Sequence, residues 1–283
     1  MVKIVADSTC DLSQELIEKY EITILPLHIL LGENEYEDGI GITPKEIYDW
    51  SDQNKSTPKT SAPSIERTVE IFKKVLDEFS EMVVFTISED MSTTANICRI
   101  AAEELDAEDR VFVVNSKSLS TGIGLSVIEA AIMAKEQLTG KEIAEKINTI
   151  IPNVRASFVV DTLEYLHRGG RCSSVSALIG TAIKLHPRIV VQDGKMISDK
   201  KYRGKMSSVI DTYVKDMENE LLRAKKDRVF ITYSSADKEV VDNVRSYLKN
   251  LNIFDEILET RAGNVISSHC GPGTLGVLYI LEK

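Results

Sequence analysis

The chain has 283 residues, and its 34 lysines and arginines against 44 aspartates and glutamates leave a net charge of −10. That length favours two domains over one, and a composition 43% hydrophobic and 28% charged belongs to a folded chain rather than a disordered one. The acidic balance argues against nucleic acid or an anionic membrane surface as partner, and no apolar run approaches the roughly 18 residues of a membrane span.

Val2–Ala6 reads as a strand, and Asp11 with Gln14 predicts a capped helix over Leu12–Tyr20. Asp7 and Asp11 also interrupt the first residues before a signal-peptide core can form, so the expected location is cytoplasmic. A β-like stretch follows over Ile22–Leu31, broken at Pro26. Thr43-Pro44-Lys45-Glu46 is a strong helix start, with a hydroxyl cap, proline at the first position and glutamate at the third. Met82–Ile87 and Val111–Val114 are continuous apolar runs, the mark of strands buried on both faces of a parallel sheet. Ser92 or Thr93 opens a helix through Leu105, a further helix lies near Gly124–Glu136, and Thr139–Glu142 starts the next.

From Pro152-Asn153 the pattern changes. Ser157–Val160 is a strand, Arg168-Gly169-Gly170-Arg171 is a turn, and a helix is predicted around Val175–Ile183. Asp193-Gly194 between Pro187–Val191 and Lys195–Ser198 signals a hairpin, so this second sheet must be mixed. Val229–Tyr233, Ile257–Thr260 and Gly276–Leu281 complete the strands, with a helix at Lys238–Leu248.

Short hydroxyl side chains gather where an open parallel sheet binds its ligands, beyond the carboxyl ends of the strands. They are Ser8 and Thr9, Ser88 with Ser92 to Thr94, Ser116, and Thr60-Ser61 in a connecting loop. Hydroxyls and free amides at helix starts suit an anion, although each is also an ordinary cap. No glycine-rich dinucleotide or P-loop signature is present, so a carboxylic acid fits better than a triphosphate. Cys10, Cys98, Cys172 and Cys270 lie far apart with no Cys-x-x-Cys, and His28, His167, His186 and His269 do not cluster, so no metal and no cofactor are expected.

Asp7-Ser8-Thr9-x-Asp11-Leu12, Pro58-Lys59-Thr60-Ser61-x-Pro63-Ser64, Leu163-x-Tyr165-Leu166-x-Arg168-Gly169-Gly170-Arg171 and His269-x-Gly271-Pro272-Gly273 together resemble the DegV family of bacterial fatty-acid-binding proteins, in family order and over nearly the whole chain. The resemblance implies an α/β protein of two domains. Residues 1–155 would form a three-layer α/β/α domain on a parallel sheet, and residues 156–283 a two-layer α/β domain on a mixed sheet. One long-chain fatty acid such as palmitate would lie between them and be presented to a separate fatty acid kinase, with no turnover by this chain itself.

Carried over residue by residue, Thr60, Ser61, Ser92 and Thr93 surround the carboxylate, Arg171 and His269 stand near the head group, and Arg203 meets the kinase. A protonated His269 would then help to balance the charge of a phosphorylated head group. Thr93 replaces the family's usual glycine, Ala62 a usual glutamine, and His186-Pro187-Arg188 puts polar groups where the family is more apolar. The alternative is a serine hydrolase acting on a lipid ester through Ser92, His269 and Asp7; it lacks Gly-x-Ser-x-Gly, though triads recur in several chain orders. A self-contained kinase lacks any phosphate-binding loop.

Overall fold

A computed structural model describes residues 1–176 and 185–282. The four central strands of the first half, β1 (Val2–Asp7), β2 (Thr23–Leu25), β6 (Glu81–Thr86) and β7 (Val111–Asn115), form an all-parallel sheet in the order β2-β1-β6-β7. A small antiparallel sheet, β4-β3-β5, stands beside it, made of β3 (His28–Leu31), β4 (Asn34–Glu37) and β5 (Lys59–Ser61). The second half builds a six-stranded mixed sheet from β8 (Val154–Val159), β9 (Leu185–Gln192), β10 (Lys195–Arg203), β11 (Arg228–Ser234), β12 (Glu256–Arg261) and β13 (Thr274–Ile280). Its order is β10-β9-β8-β13-β11-β12, and only β11 and β12 run parallel.

The helices are α1 (Gln14–Lys19), α2 (Pro44–Asn54), α3 (Ile65–Glu78), α4 (Thr94–Glu104), α5 (Thr121–Lys135), α6 (Gly140–Ile150), α7 (Glu164–Gly169), α8 (Ser173–Ser176), α9 (Met206–Asp216), α10 (Glu218–Leu221), α11 (Lys238–Asn250) and α12 (Asn264–Cys270). One face of the parallel sheet is covered by α3 and α4 through Phe72, Val75, Cys98 and Ala101. Its other face packs on α5 and α6, and the same core continues through Ala156, Phe158, Phe230 and Leu278 of the mixed sheet. The far face of the mixed sheet is covered by α9 and α11. The first half is therefore a three-layer α/β/α unit and the second a sheet with helices, the architecture expected.

Helix α5 lies between the two sheets, and every residue from Thr121 to Ala131 is buried. A helix covered all round has no polar face, so its sequence shows no 3.6-residue alternation; it starts three residues before the predicted Gly124. Gly124 sits inside it because a Cβ there would meet Leu12 Cδ2 at 2.7 Å and the Cys10 carbonyl oxygen at 3.0 Å.

Other expectations need correction. Ser13, not Asp11, caps the first helix; Asp11 is spent elsewhere, as described below. Thr60 and Ser61 lie on the edge strand β5 rather than in a loop. The predicted stretch 22–31 splits at Pro26 between two different sheets. Most of the helix predicted over 175–183 falls outside the described residues. Both capping boxes, at Thr43/Glu46 and Thr139/Glu142, form as predicted, and so does the Asp193-Gly194 hairpin, with both turn residues at positive φ.

A buried ion pair also crosses between the halves. Glu129 on α5 accepts from Arg228 and, at 2.8 Å, from Lys225 Nζ, and both Glu129 and Arg228 are buried. Removing one partner of such a pair strands the other charge in the interior. Arg228→Met should lower stability by about 3 kcal/mol, read as a lower urea midpoint at unchanged slope. Adding Glu129→Gln should restore most of the loss, and a double variant no more stable than the single would show the pair is not coupled.

Candidate ligand-binding site

The six residues expected near a head group meet at one place. Thr60 and Ser61 of β5, Ser92 and Thr93 ahead of α4, Arg171 after α7 and His269 on α12 line a single cavity of about 470 Å³. That size lies within the range of about 300–1,000 Å³ usual for small-molecule sites. The remaining wall is largely apolar, with Leu27, Ile87, Met91, Leu119, Met196 and Ile266, and carries two carboxylates, Glu89 and Asp90, on the turn ahead of Ser92. Leu119, Ile266 and Cys270 also line a small inner cavity of about 20 Å³ against Phe158 and Leu278. The hydroxyls of that inner chamber are turned away into bonds with the protein: Ser234 donates to the Gly271 carbonyl, Thr274 to the Cys270 carbonyl, and Thr232 bonds Thr121 and Thr260. That inner space has room for about one water, and its wall is almost wholly carbon. Polar groups stand at one end and apolar walls lead inward.

Helix α12 carries His269, Ile266 and Cys270 into this cavity. Its own cap, Gly263, has no side chain to satisfy the first amides. Two buried carboxylates of the first half do so instead. Asp11 accepts from the Gly263 amide at 2.8 Å, and Asp38 from the Asn264 amide at 3.0 Å. Burial pushes both carboxyls above their ordinary range, and it raises Asp7 to about 6. Asp11 therefore serves a helix more than 250 residues downstream, a role that local spacing cannot reveal.

His269 is held on both sides. Its Nε2 lies 2.7 Å from Thr60 Oγ1, while Nδ1 is buried without a partner. A Cβ on Gly169 would approach Nδ1 to 2.3 Å, so only glycine leaves room for the ring. The next residue, Gly170, ends α7 in the left-handed conformation at φ 70°, and Arg171 Nη1 donates to the Gly169 carbonyl at 2.7 Å. Burial, reinforced by the Arg171 charge, lowers the His269 pKa to about 4. The ring is therefore neutral at neutral pH in the ligand-free protein. Arg171 is the cation that the cavity lining supplies among the described residues.

Ser92 Oγ shares a hydrogen bond with Thr94 Oγ1 at 2.8 Å and accepts from the Thr94 amide at 3.3 Å. It thus supports the start of α4, where Thr93 itself makes no side-chain cap. The hydrolase constellation is not assembled: Ser92 bonds Thr94, His269 bonds Thr60, and Asp7 accepts from Thr9 and from the Ile87 amide. Arg203 does not line the cavity; it is exposed at the end of β10. The departures at His186 and Arg188 also lie outside the cavity, His186 buried between the Val160 and Gly204 carbonyls and Arg188 paired with Asp199. Among the described residues no group of three or more His, Cys, Asp or Glu is placed to hold a metal ion, and no helix is long and apolar enough to cross a membrane.

A family model for uncharacterised proteins of the DegV family matches residues 1–282. A fatty acid-binding protein of Thermotoga maritima is 30% identical over 293 aligned residues, covering 100% of this chain and 99% of its own. Among solved structures, a DegV family protein from Thermus thermophilus described for its fatty acid binding superposes with a TM-score of 0.91 at 29% identity, over 99% of both chains. A stearic acid-binding protein from Eubacterium ventriosum superposes with a TM-score of 0.85 at 28% identity, over 99% of this chain and 98% of its own.

The buried state of His269 has a measurable consequence. Between about pH 6.5 and 4 the unfolded chain takes up a proton at this ring that the folded protein does not, so this contribution to stability is complete above pH 6.5 and lost as pH falls towards 4. Histidine NMR titration of ligand-free protein should place the His269 midpoint near 4. His269→Gln should flatten the stability profile over that interval, and a wild-type midpoint near 6.5 would overturn the assignment.

Proposed function

The chain belongs to the DegV family, and on that footing we propose that it binds one long-chain fatty acid in the cavity between its two halves, with the carboxylate at Thr60, Ser61, Ser92 and Thr93 and the acyl chain running inward past Leu119 and Ile266. The observation that carries this reading is the convergence of six polar residues, from four distant parts of the chain, on the mouth of one apolar-walled cavity. Neutral hydroxyls bind a single carboxylate without burying opposing charge, and Arg171 offsets what remains. Each buried methylene contributes about 0.8 kcal/mol before ordering costs, so a long chain is retained and a short one is not. Relatives named for fatty acid binding, one of them for stearic acid, support this choice of ligand.

The chain itself performs no turnover in this reading. It divides near residue 155 into two domains, works in the cytoplasm, and presents the fatty acid carboxylate to a separate kinase. Arg203, exposed at the end of β10, is the contact offered to that partner, and Arg171 with Thr93 lies at the head-group end. Charge building on a phosphorylated carboxylate is stabilised by Arg171 rather than by His269, which is neutral in the ligand-free protein.

Denaturing extraction of purified protein followed by mass spectrometry should release a long-chain fatty acid in near-stoichiometric amount. Ser61→Ala and Ser92→Ala should each weaken binding by about 1.5–3 kcal/mol, the value of a hydrogen bond to a charged group. Thermal unfolding should move little for Ser61→Ala, whose side chain is exposed. Extraction that yields no lipid, together with no uptake of added palmitate or oleate, would end the fatty acid reading. Arg203→Ala should keep full affinity and lose phosphorylation by the cognate kinase; an unchanged rate would remove Arg203 from the partner surface.

A further inference from the structure

Only Arg188, Ile189 and Val190 of β9 pair with β8, so within the sheet residues 191–196 bond only to each other, across the Asp193-Gly194 turn at their tip. That tip rests on the turn that leads into Ser92. Ser88, fully buried, donates its hydroxyl to the Gly194 carbonyl at 2.7 Å. Lys195 Nζ lies 3.5 Å from Asp90 Oδ1. The approach is close enough that a Cβ on Gly194 would stand 2.7 Å from Ser88 Oγ and 2.8 Å from Asp90 Oδ2. Behind the tip, Cys172 Sγ lies 3.5 Å from the Met196 carbonyl, and Ser174 Oγ accepts from the Ser198 amide at 2.9 Å.

Both sides of this contact belong to the cavity. Met196 on the hairpin and Asp90, Met91 and Ser92 on the facing turn line it. Ser88 joins them: its carbonyl accepts from the Met91 and Ser92 amides at 2.9 and 3.1 Å while its hydroxyl holds the hairpin. One buried serine thus ties the position of the hairpin to that of the Ser92 turn.

We propose that residues 191–196 form a strap that closes one side of the cavity, with Ser88 and the Asp90–Lys195 pair as its latch, and that ligand enters and leaves when the strap lifts. The identity of that ligand rests on the fatty acid reading above; the strap itself does not. Residues 191–196 share no ladder bonds with β8. Besides the packing of Met196 and Val191 on the core, the tip is tied to the Ser92 turn by one hydrogen bond and one exposed ion pair, so it opens more easily than strands paired on both sides. Its opening removes Met196 from the wall and loosens the turn that carries Ser92.

An Asp90→Cys/Lys195→Cys protein bridged by a short bis-maleimide fixes the strap shut, since the four native cysteines are buried. Bridging should slow stopped-flow exchange of a fluorescent long-chain fatty acid by at least about tenfold, and Ser88→Ala should speed it by about fivefold, as loss of one latch hydrogen bond predicts. Alkylation of Cys270 by iodoacetamide, followed by mass spectrometry, should change in the same order without any ligand. A bridge that alters neither rate overturns the strap. A bridge that slows alkylation in a protein that takes up no fatty acid leaves the strap standing and removes the fatty acid.

Discussion

The site depends on two carboxylates buried at the junction of the halves. Asp11 and Asp38 supply the acceptors that the first amides of α12 lack, because Gly263 cannot cap its own helix. A Cβ there would stand 3.0 Å from Asp11 Oδ1 and crowd the carboxylate. Burying carboxylates is costly, as their raised pKa values record. Part of that cost is offset by backbone amides, by the positive end of the helix, and by Ser120 donating to Asp11. A shift of α12 by about an ångström would break both amide bonds at once. His269, Ile266 and Cys270 therefore reach the cavity in one register, and the mouth of the site is positioned by residues that never touch its interior.

The cavity exists because a helix, not a flexible linker, joins the layers. Helix α5 gives one face to the parallel sheet and the other to the mixed sheet, and the core runs through it without interruption. A shared layer of this kind resists shear between the halves, and the Glu129–Arg228 pair on its flank fixes it further. The cavity that gathers the hydroxyls, Arg171 and His269 opens where α12, β5 and the turn after β6 approach one another without filling the gap.

Much of this was legible in the chain itself. Proline and glutamate placed the start of α2, continuous apolar runs marked β6 and β7, and Asp193-Gly194 marked the hairpin, because each signal acts within a few residues. The three-stranded sheet was missed: β4 and β5 are only four and three residues long, β4 is largely polar, and β5 reaches β3 only across α2. Helix α9 did carry a usable signal, with Val209, Ile210, Tyr213 and Val214 spaced along one buried face. Helix α12 carried almost none, since its caps come from Asp11 and Asp38. The hydroxyls at the carboxyl ends of the strands were visible as a set, yet the charge state of His269 was not. It follows from burial and from Arg171, which only the folded chain brings near.

The pair of glycines before Arg171 makes the same point from the other direction. Local conformation explains Gly170, whose left-handed φ ends α7. It does not explain Gly169, which sits inside the helix with an ordinary backbone. Gly169 is glycine because His269, a hundred residues later, occupies the space a methyl group would need. The imidazole is pressed between the Gly169 backbone and the Thr60 hydroxyl, and the carbonyl of that same glycine receives the Arg171 guanidinium. Thr60-Ser61, Gly169-Gly170-Arg171 and His269 are thus three pieces of one contact surface. Each constrains the next through packing: the glycine admits the histidine, the histidine meets the threonine, and the arginine, anchored on the glycine, depresses the basicity of the ring it stands beside. A change at any of the three is felt at the polar end of the cavity, even where the altered atom does not line it.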